Sequence, residues 1–238
     1  MHKRFVILLL FPIVLASCAG DAPPTRMVEI PGGRFVVGGL PDEKKLHPPG
    51  EMELPGFYME IYEVTIAQYA TCVKAKECPD RSGEIPKAFG GPRQPVIMVT
   101  QSDAAAYCTF VGRRLPTEWE WERAARGPKA YTYPYGNDFL PGAANTSYAP
   151  LKKCGGTYYR FTAPVGVFDE DRSPFGVFDM GGNVAEWTTS RVGAGEAVVR
   201  GGHWYSEKEQ SASYYREFVP TGDLTSYTIG FRCVKSAN

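Results

Sequence analysis

The sequence predicts a loop-rich fold built from short helices and short strands. Three observations predict it. Glycine and proline number 26 and 20 of 238 residues, more chain punctuation than a helical bundle tolerates. Aromatic residues reach 13%, enough to build a core without long regular elements. Three threonine-led helix starts recur, and two of their helical patterns end at a glycine within about three turns. The length fits one large domain or two small ones. The formal charge is +0, so nothing points to nucleic acid or an acidic partner. No internal repeat recurs.

Residues 1–18 read as a lipoprotein signal segment. Met1–Arg4 is basic, and FVILLLFPIVLA is apolar but shorter than the roughly 20 residues that span a bilayer. The run ends in Leu15-Ala16-Ser17-Cys18. Small residues suit a signal peptidase, and a cysteine at the cut can carry lipid, so Cys18 is expected to anchor the chain. Ala19, rather than an aspartate, favours the outer membrane facing the periplasm if the cell is Gram-negative. Residues 19–26, with a stiff DAPP stretch, form a short tether.

Export places the other cysteines in an oxidising space. Five remain, Cys72, Cys78, Cys108, Cys154 and Cys233, so at least one thiol is left over. Cys72 and Cys78 can close a tight loop at the end of the first helix, worth about 2 kcal/mol. Cys154 lies beside Lys152 and Lys153. Two lysines would lower its pKa and make it reactive; the plain alternative is a bystander.

MVEIPGGRFVVGG (27–39) reads as two short strands around Pro-Gly-Gly. Thr65…Gln68, Thr100…Asp103 and Thr117…Glu120 have capping-box spacing. They predict helices over 65–75, 101–111 and 117–126. From Pro128 onward Gly, Pro, Asn and Tyr dominate. That half reads as loops, with short strands near 163–167, 197–201 and 228–235. Loops this long are functional or pinned.

Arg113-Arg-Leu-Pro-Thr-Glu-Trp-Glu-Trp-Glu122 opens a series of ordered motifs. Pro134-Tyr-Gly136, Asp179-Met-Gly-Gly-Asn-Val-Ala-Glu-Trp187, Arg200-Gly-Gly202 and Gly230-Phe-Arg-Cys233 follow. With MVEIPGGRF and EVTIAQY they resemble the formylglycine-generating enzyme, or sulfatase-modifying factor, family over residues 27–236. The resemblance implies a single α+β domain, a variant of the C-type lectin fold with little regular secondary structure. It implies a Cys108–Cys233 disulfide, closing a loop worth about 5 kcal/mol at most.

The resemblance also implies a structural calcium held by the side chains of Asp179 and Glu186 and the carbonyls of Gly182 and Val184. Mixed carboxylate and carbonyl oxygens are what calcium takes. Read alone, the stretch is a polar turn. A second family calcium would use Asn145, but its aspartate partner falls near Thr157.

The family's enzymes oxidise a substrate cysteine to formylglycine with copper(I) and oxygen, using two thiolates five residues apart. The matching positions are Ser206 and Ser211, and no cysteine lies between Cys154 and Cys233. A hydroxyl stays protonated and is a poor ligand for a soft ion. No copper and no formylglycine-generating activity are expected. His203 and Ser206 are three apart on a strand-like segment and would face opposite sides, so no nucleophile–base pair is expected. The histidine spacing needed for a non-haem iron site is absent.

What remains is a candidate groove, with His203, Trp204, Tyr205, Ser206, Ser211, Tyr214, Tyr215 and Arg216 mixing stacking faces and donors. Arg114, Trp119 and Trp187 read as core and capping residues. The sequence thus predicts a lipid-anchored, calcium-stabilised binding or accessory module without catalytic residues. Its partner would be an envelope protein, peptide or glycan, and the chain would be a monomer. The alternative is an oxidoreductase that matures an exported protein or siderophore by chemistry other than copper thiolate.

Overall fold

Each of the three threonines closes a reciprocal capping box. In the computed structural model, which describes residues 25–39, 49–150, 152–154, 157–193 and 195–237, the helices are α1 (Ile66–Lys74), α2 (Gln101–Phe110) and α3 (Glu118–Arg126). Thr117 N donates to Glu120 Oε2 at 2.8 Å, and Glu120 N donates to Thr117 Oγ1 at 3.1 Å. Asp103 plays the same part for α2 despite its shorter side chain. Each cap contributes about 1 kcal/mol, which matters for helices of only two to three turns.

The strands are β1 (Met27–Ile30), β2 (Gly33–Val37), β3 (Gly50–Leu54), β4 (Phe57–Glu60), β5 (Lys152–Cys154), β6 (Thr157–Tyr159), β7 (Ala185–Val192), β8 (Glu196–Arg200), β9 (Arg216–Pro220), β10 (Ile229–Gly230) and β11 (Val234–Ser236). β4 takes β1 on one side and β11 on the other, so both ends of the domain share one sheet. A second sheet runs β10-β7-β8-β9, with β10 parallel to β7 and the rest antiparallel. β2 pairs with β3, and β5 with β6.

Two cores result. Tyr69 of α1 and Tyr107 of α2 pack with Trp187, Val199 and Phe231 of the second sheet region. Trp121 and Ala124 of α3 pack on Ile30, Phe57, Met59 and Val234 of the first sheet. Trp121 and Trp187 are both essentially sealed, and truncating either to alanine costs about 3–5 kcal/mol. The disulfide Cys108–Cys233 joins α2 to the residue before β11, with Cα atoms 5.6 Å apart. Cys72–Cys78 ties the end of α1 to the loop after it, at 5.3 Å. Two buried disulfides suit an oxidising compartment.

Two expectations need correction. Residues 163–167 form turns rather than a strand. Val165 N reaches Arg93 O, and no ladder forms around that single contact. The two strands of 27–39 form as read, on either side of Pro31 and Gly32, and enter different sheets. The later half also holds more strand than predicted, since β7 and β9 are paired segments. Residues 1–18, with the lipid site at Cys18, lie outside the described residues, as does the side chain of Cys154. No helix among the described residues is long and apolar enough to cross a membrane.

Candidate functional site

The stretch Asp179–Glu186 is a junction where several loops meet. Asp179 and Asn183 adopt φ of 60° and 74°, a left-handed region that Asp and Asn tolerate better than most residues. Asn183 N donates to Asn145 O at 2.8 Å, and Trp204 N donates to Asn183 O at 2.9 Å. The Asn183 amide oxygen accepts from Ala163 N and from Asn145 Nδ2, while its Nδ2 donates to Glu63 Oε2. One asparagine thus clasps the chain at 63, 145, 163 and 204. Sequence reasoning missed it; its place after Gly-Gly was the available signal.

Four carboxylates gather at this junction. Glu63, Asp171, Asp179 and Glu186 are each buried. Burial pushes the Glu63 and Asp171 carboxyls well above the usual range, and it raises Asp179 to about 7. Main-chain donors partly offset the desolvation. Gly181 N donates to Asp171, Gly166 N to Asp179 and Val184 N to Glu63. Arg232, wholly buried, is the cation they share.

These groups do not fit calcium as they stand. Glu186 Oε1 accepts from Arg232 Nε at 2.9 Å and Nη2 at 2.7 Å. Its Oε2 accepts from Arg232 Nε at 2.8 Å and Trp121 Nε1 at 3.0 Å. Three N–H groups thus converge on this carboxylate, the single Arg232 Nε–H being shared between its two oxygens. Asp179, Gly182 and Val184 therefore lack the fourth ligand expected of Glu186. Among the described residues no cluster of three or more His, Cys, Asp or Glu side chains could hold a metal ion. Asn145, the residue a second family calcium would use, donates through Nδ2 to Phe161 O and Asn183 Oδ1.

The loop after β8 is seated by a second buried pair. Arg200 donates to Glu122 Oε2 through Nη2, and through Nη1 to Tyr214 O at 3.1 Å. Glu122 Oε1 also accepts from Arg126 Nη1 at 2.9 Å and Gly38 N at 2.7 Å. Arg200 thereby fixes both ends of the loop to α3. The two glycines that follow are dictated by contact. Gly201 has φ +83°, and a Cβ there would meet Trp121 at 2.8 Å. A Cβ on Gly202 would lie 2.5 Å from Gly181 O.

The expected groove residues are not brought together. Ser206 and Ser211 are fully buried. Ser206 Oγ accepts from His203 N at 2.8 Å, and Ser211 Oγ donates to Glu207 O at 3.3 Å. His203 and Ser206 share a turn, closed by Ser206 N to His203 O; the strand-like reading of that segment is corrected. The imidazole Nδ1 accepts from Tyr205 N, and burial lowers the ring's pKa to about 4. Arg216 pairs with Glu118 at 2.7 Å and stacks over Trp119 and Phe218. Tyr215 N closes a turn onto Ala212 O. Arg114 makes a bidentate pair with the cap residue Glu120, and Trp187 donates to Val99 O, as core and cap residues do.

Two surfaces remain beside this loop. Trp204 packs in an aromatic cluster with Phe89, Phe161 and Tyr205, ring centroids 5.0–5.8 Å apart, and Tyr205 is 67% exposed. Separately, a cleft of about 340 Å³ is lined by Tyr133, Phe139, Tyr214, Asn137, Asp138 and Lys208 among others. Lys208 Nζ lies 6.0 Å from the Phe139 ring centroid. Aromatic faces mixed with donors and acceptors suit binding.

Copper does not fit here either. The two positions for soft donors carry hydroxyls, turned inward and spent on the main chain. A hard oxygen that keeps its proton is a poor partner for cuprous ion.

Comparison with known proteins agrees with the geometry. Residues 15–237 match the model of the sulfatase-modifying factor enzyme 1-like domain. The chain is 33% identical over 290 residues to the inactive C-alpha-formylglycine-generating enzyme 2 of Mus musculus, covering 96% of this chain and 94% of that one. It is 32% identical over 226 residues to the formylglycine-generating enzyme of Mycobacterium tuberculosis, covering 70% of this chain and 74% of that one. The structure of PvdO from Pseudomonas aeruginosa superposes with a TM-score of 0.73 at 25% identity, covering 93% of this chain and 97% of the other. With the shared single-domain α+β architecture of sparse regular structure, these matches show that the chain belongs to the sulfatase-modifying factor, or formylglycine-generating enzyme, family.

Proposed function

We propose that this chain is a non-oxidase member of the family, an exported, lipid-anchored module that binds a peptide or glycan of the cell envelope. One observation carries the reading: positions 206 and 211 hold buried, hydrogen-bonded serines in place of a thiolate pair. The likeness to a relative named as inactive supports it. The cleft between Tyr133, Phe139 and Tyr214 is the binding surface. Its tyrosines offer flat apolar faces with polar tips, and Asn137 and Lys208 supply directional hydrogen bonds. The buried Glu122–Arg200 pair holds the wall of that cleft in place through Tyr214 O.

The test uses full-length protein purified in detergent. Copper(I) binding and aldehyde formation on a Cys-x-Pro-x-Arg peptide are measured together, and neither should exceed background. Turnover would instead support maturation chemistry, a reading favoured by the likeness to a formylglycine-generating enzyme. Binding to envelope glycans and peptides should weaken about tenfold in Tyr214→Ala. Anchoring is checked by radiolabelled fatty acid, which Cys18→Ala should not incorporate.

A further inference from the structure

We propose that a second cleft, at the opposite end of the β7–β8–β9 sheet from residues 201–216, binds a small organic carboxylate with Arg191 as its counter-ion. The register separates the two ends. Arg200 at one end of β8 pairs with Glu186 and Arg216, while Glu196 at the other pairs with Val192 and Pro220. Four residue steps put them about 13 Å apart along the strand. This cleft has a volume of about 490 Å³, and its lining includes Gln101, Ala105, Leu115, Thr189, Arg191 and Thr221. That lies within the range of small-molecule sites, about 300–1,000 Å³.

The lining specifies the ligand's chemistry. Arg191 is its single charged side chain. The described ion pairs engage eight other arginines, and Arg191 is in none of them. Yet the guanidinium is positioned. Its Nη2 donates to Gln101 Oε1 at 3.2 Å, and Gln101 Nε2 donates to Thr188 O at 2.6 Å. The buried amide is thus held at both ends and presents its oxygen to the arginine. A guanidinium has five N–H donors, and this contact uses one. A carboxylate accepts two of the others in a planar fork. Leu115, 2% exposed, and Ala105 make an aliphatic floor for the rest of the ligand. Thr189 and Thr221 donate their hydroxyls to Pro116 O and Gly195 O, so each oxygen still accepts from a ligand N–H or O–H. One cation with an apolar floor suits a monocarboxylate better than a phosphate dianion, which calls for more than one positive partner.

The probes are benzoate and its neutral isostere benzamide, titrated calorimetrically into the full chain in detergent. Benzoate should bind saturably at one site, and benzamide about tenfold more weakly. Arg191→Gln should weaken benzoate about tenfold and bring the two probes level. Ser102→Trp, an exposed change at the rim of the cleft, should block both. Lys208→Gln, at the other end of the sheet, should change neither. Equal melting temperatures would show that the variants fold. Absence of saturable benzoate binding, equal affinity for both probes in the unmodified chain, or full retention in Arg191→Gln would each overturn the proposal.

Discussion

Two buried Glu–Arg pairs hold this molecule, and they differ in their surroundings. Glu186–Arg232 and Glu122–Arg200 are both wholly buried. Around the first stand three more carboxyl groups, Glu63, Asp171 and Asp179, so acidic groups outnumber the one cation, and burial favours their protonated forms. Around the second stands another arginine, Arg126, so positive charge is in excess. The difference teaches which partner is indispensable. A buried pair adds little over a well-packed apolar pair, but removing its scarce member leaves uncompensated charge. In the first cluster the scarce member is the arginine, and in the second it is the glutamate.

The largest effect is therefore expected from Arg232→Met. It strands several carboxylates and removes donors to Glu60 O, Ile61 O and Phe178 O, so it should cost about 3–5 kcal/mol in urea unfolding at neutral pH. The loss should shrink on acidification, as the stranded carboxyls take up protons. Equal loss at pH 5 and pH 7 would show that the stranded carboxyl groups are not what makes Arg232 indispensable.

Glu60 should give the next effect. It accepts from Cys233 N at 2.7 Å and pairs with Arg113, yet burial raises its pKa from 4.5 to about 7. With the folded pKa above the unfolded one, the folded state holds the extra proton between these values. Its contribution to stability is full below pH 4.5 and is lost as pH rises to about 7, amounting to about 3 kcal/mol. Glu60→Gln should flatten that part of the stability profile, and an unchanged slope would exclude Glu60 as its source.

Arg200→Met should cost less, about 2 kcal/mol, because Glu122 keeps Arg126 and Gly38 N. Urea unfolding should place it below Arg232→Met. The reverse order would show that seating the 201–216 loop outweighs charge balance.

The smallest effect is expected from chelation. With Arg232 and Trp121 donating to both oxygens of Glu186, adding EDTA should leave the melting temperature unchanged. A calcium-dependent rise would show that Glu186 trades Arg232 for the ion.

Local rules made much of this protein legible before folding was considered. Thr65, Thr100 and Thr117 announced their helices because a capping box needs only four consecutive residues. Cys72–Cys78 was legible from spacing, and Cys108–Cys233 through family resemblance. The missing thiolates at Ser206 and Ser211 could be read directly, since no fold supplies sulfur that the chain lacks.

Other features depended on which distant segments met. Glu186 was expected to ligate calcium through family resemblance; Arg232, 46 residues on, supplies the competing donors. The groove of residues 203–216 looked continuous along the chain, but a turn hides its serines and β9 carries Arg216 towards Glu118. Asn183 and Arg191 gained their importance from partners at Asn145, Glu63 and Gln101. Helix starts, family and the absence of soft copper ligands could be read from the residues alone, because these rest on composition and contacts within a turn. How buried charge is balanced could be learned from the fold and from nothing less, because it depends on groups far apart in the chain sharing a site from which water is excluded.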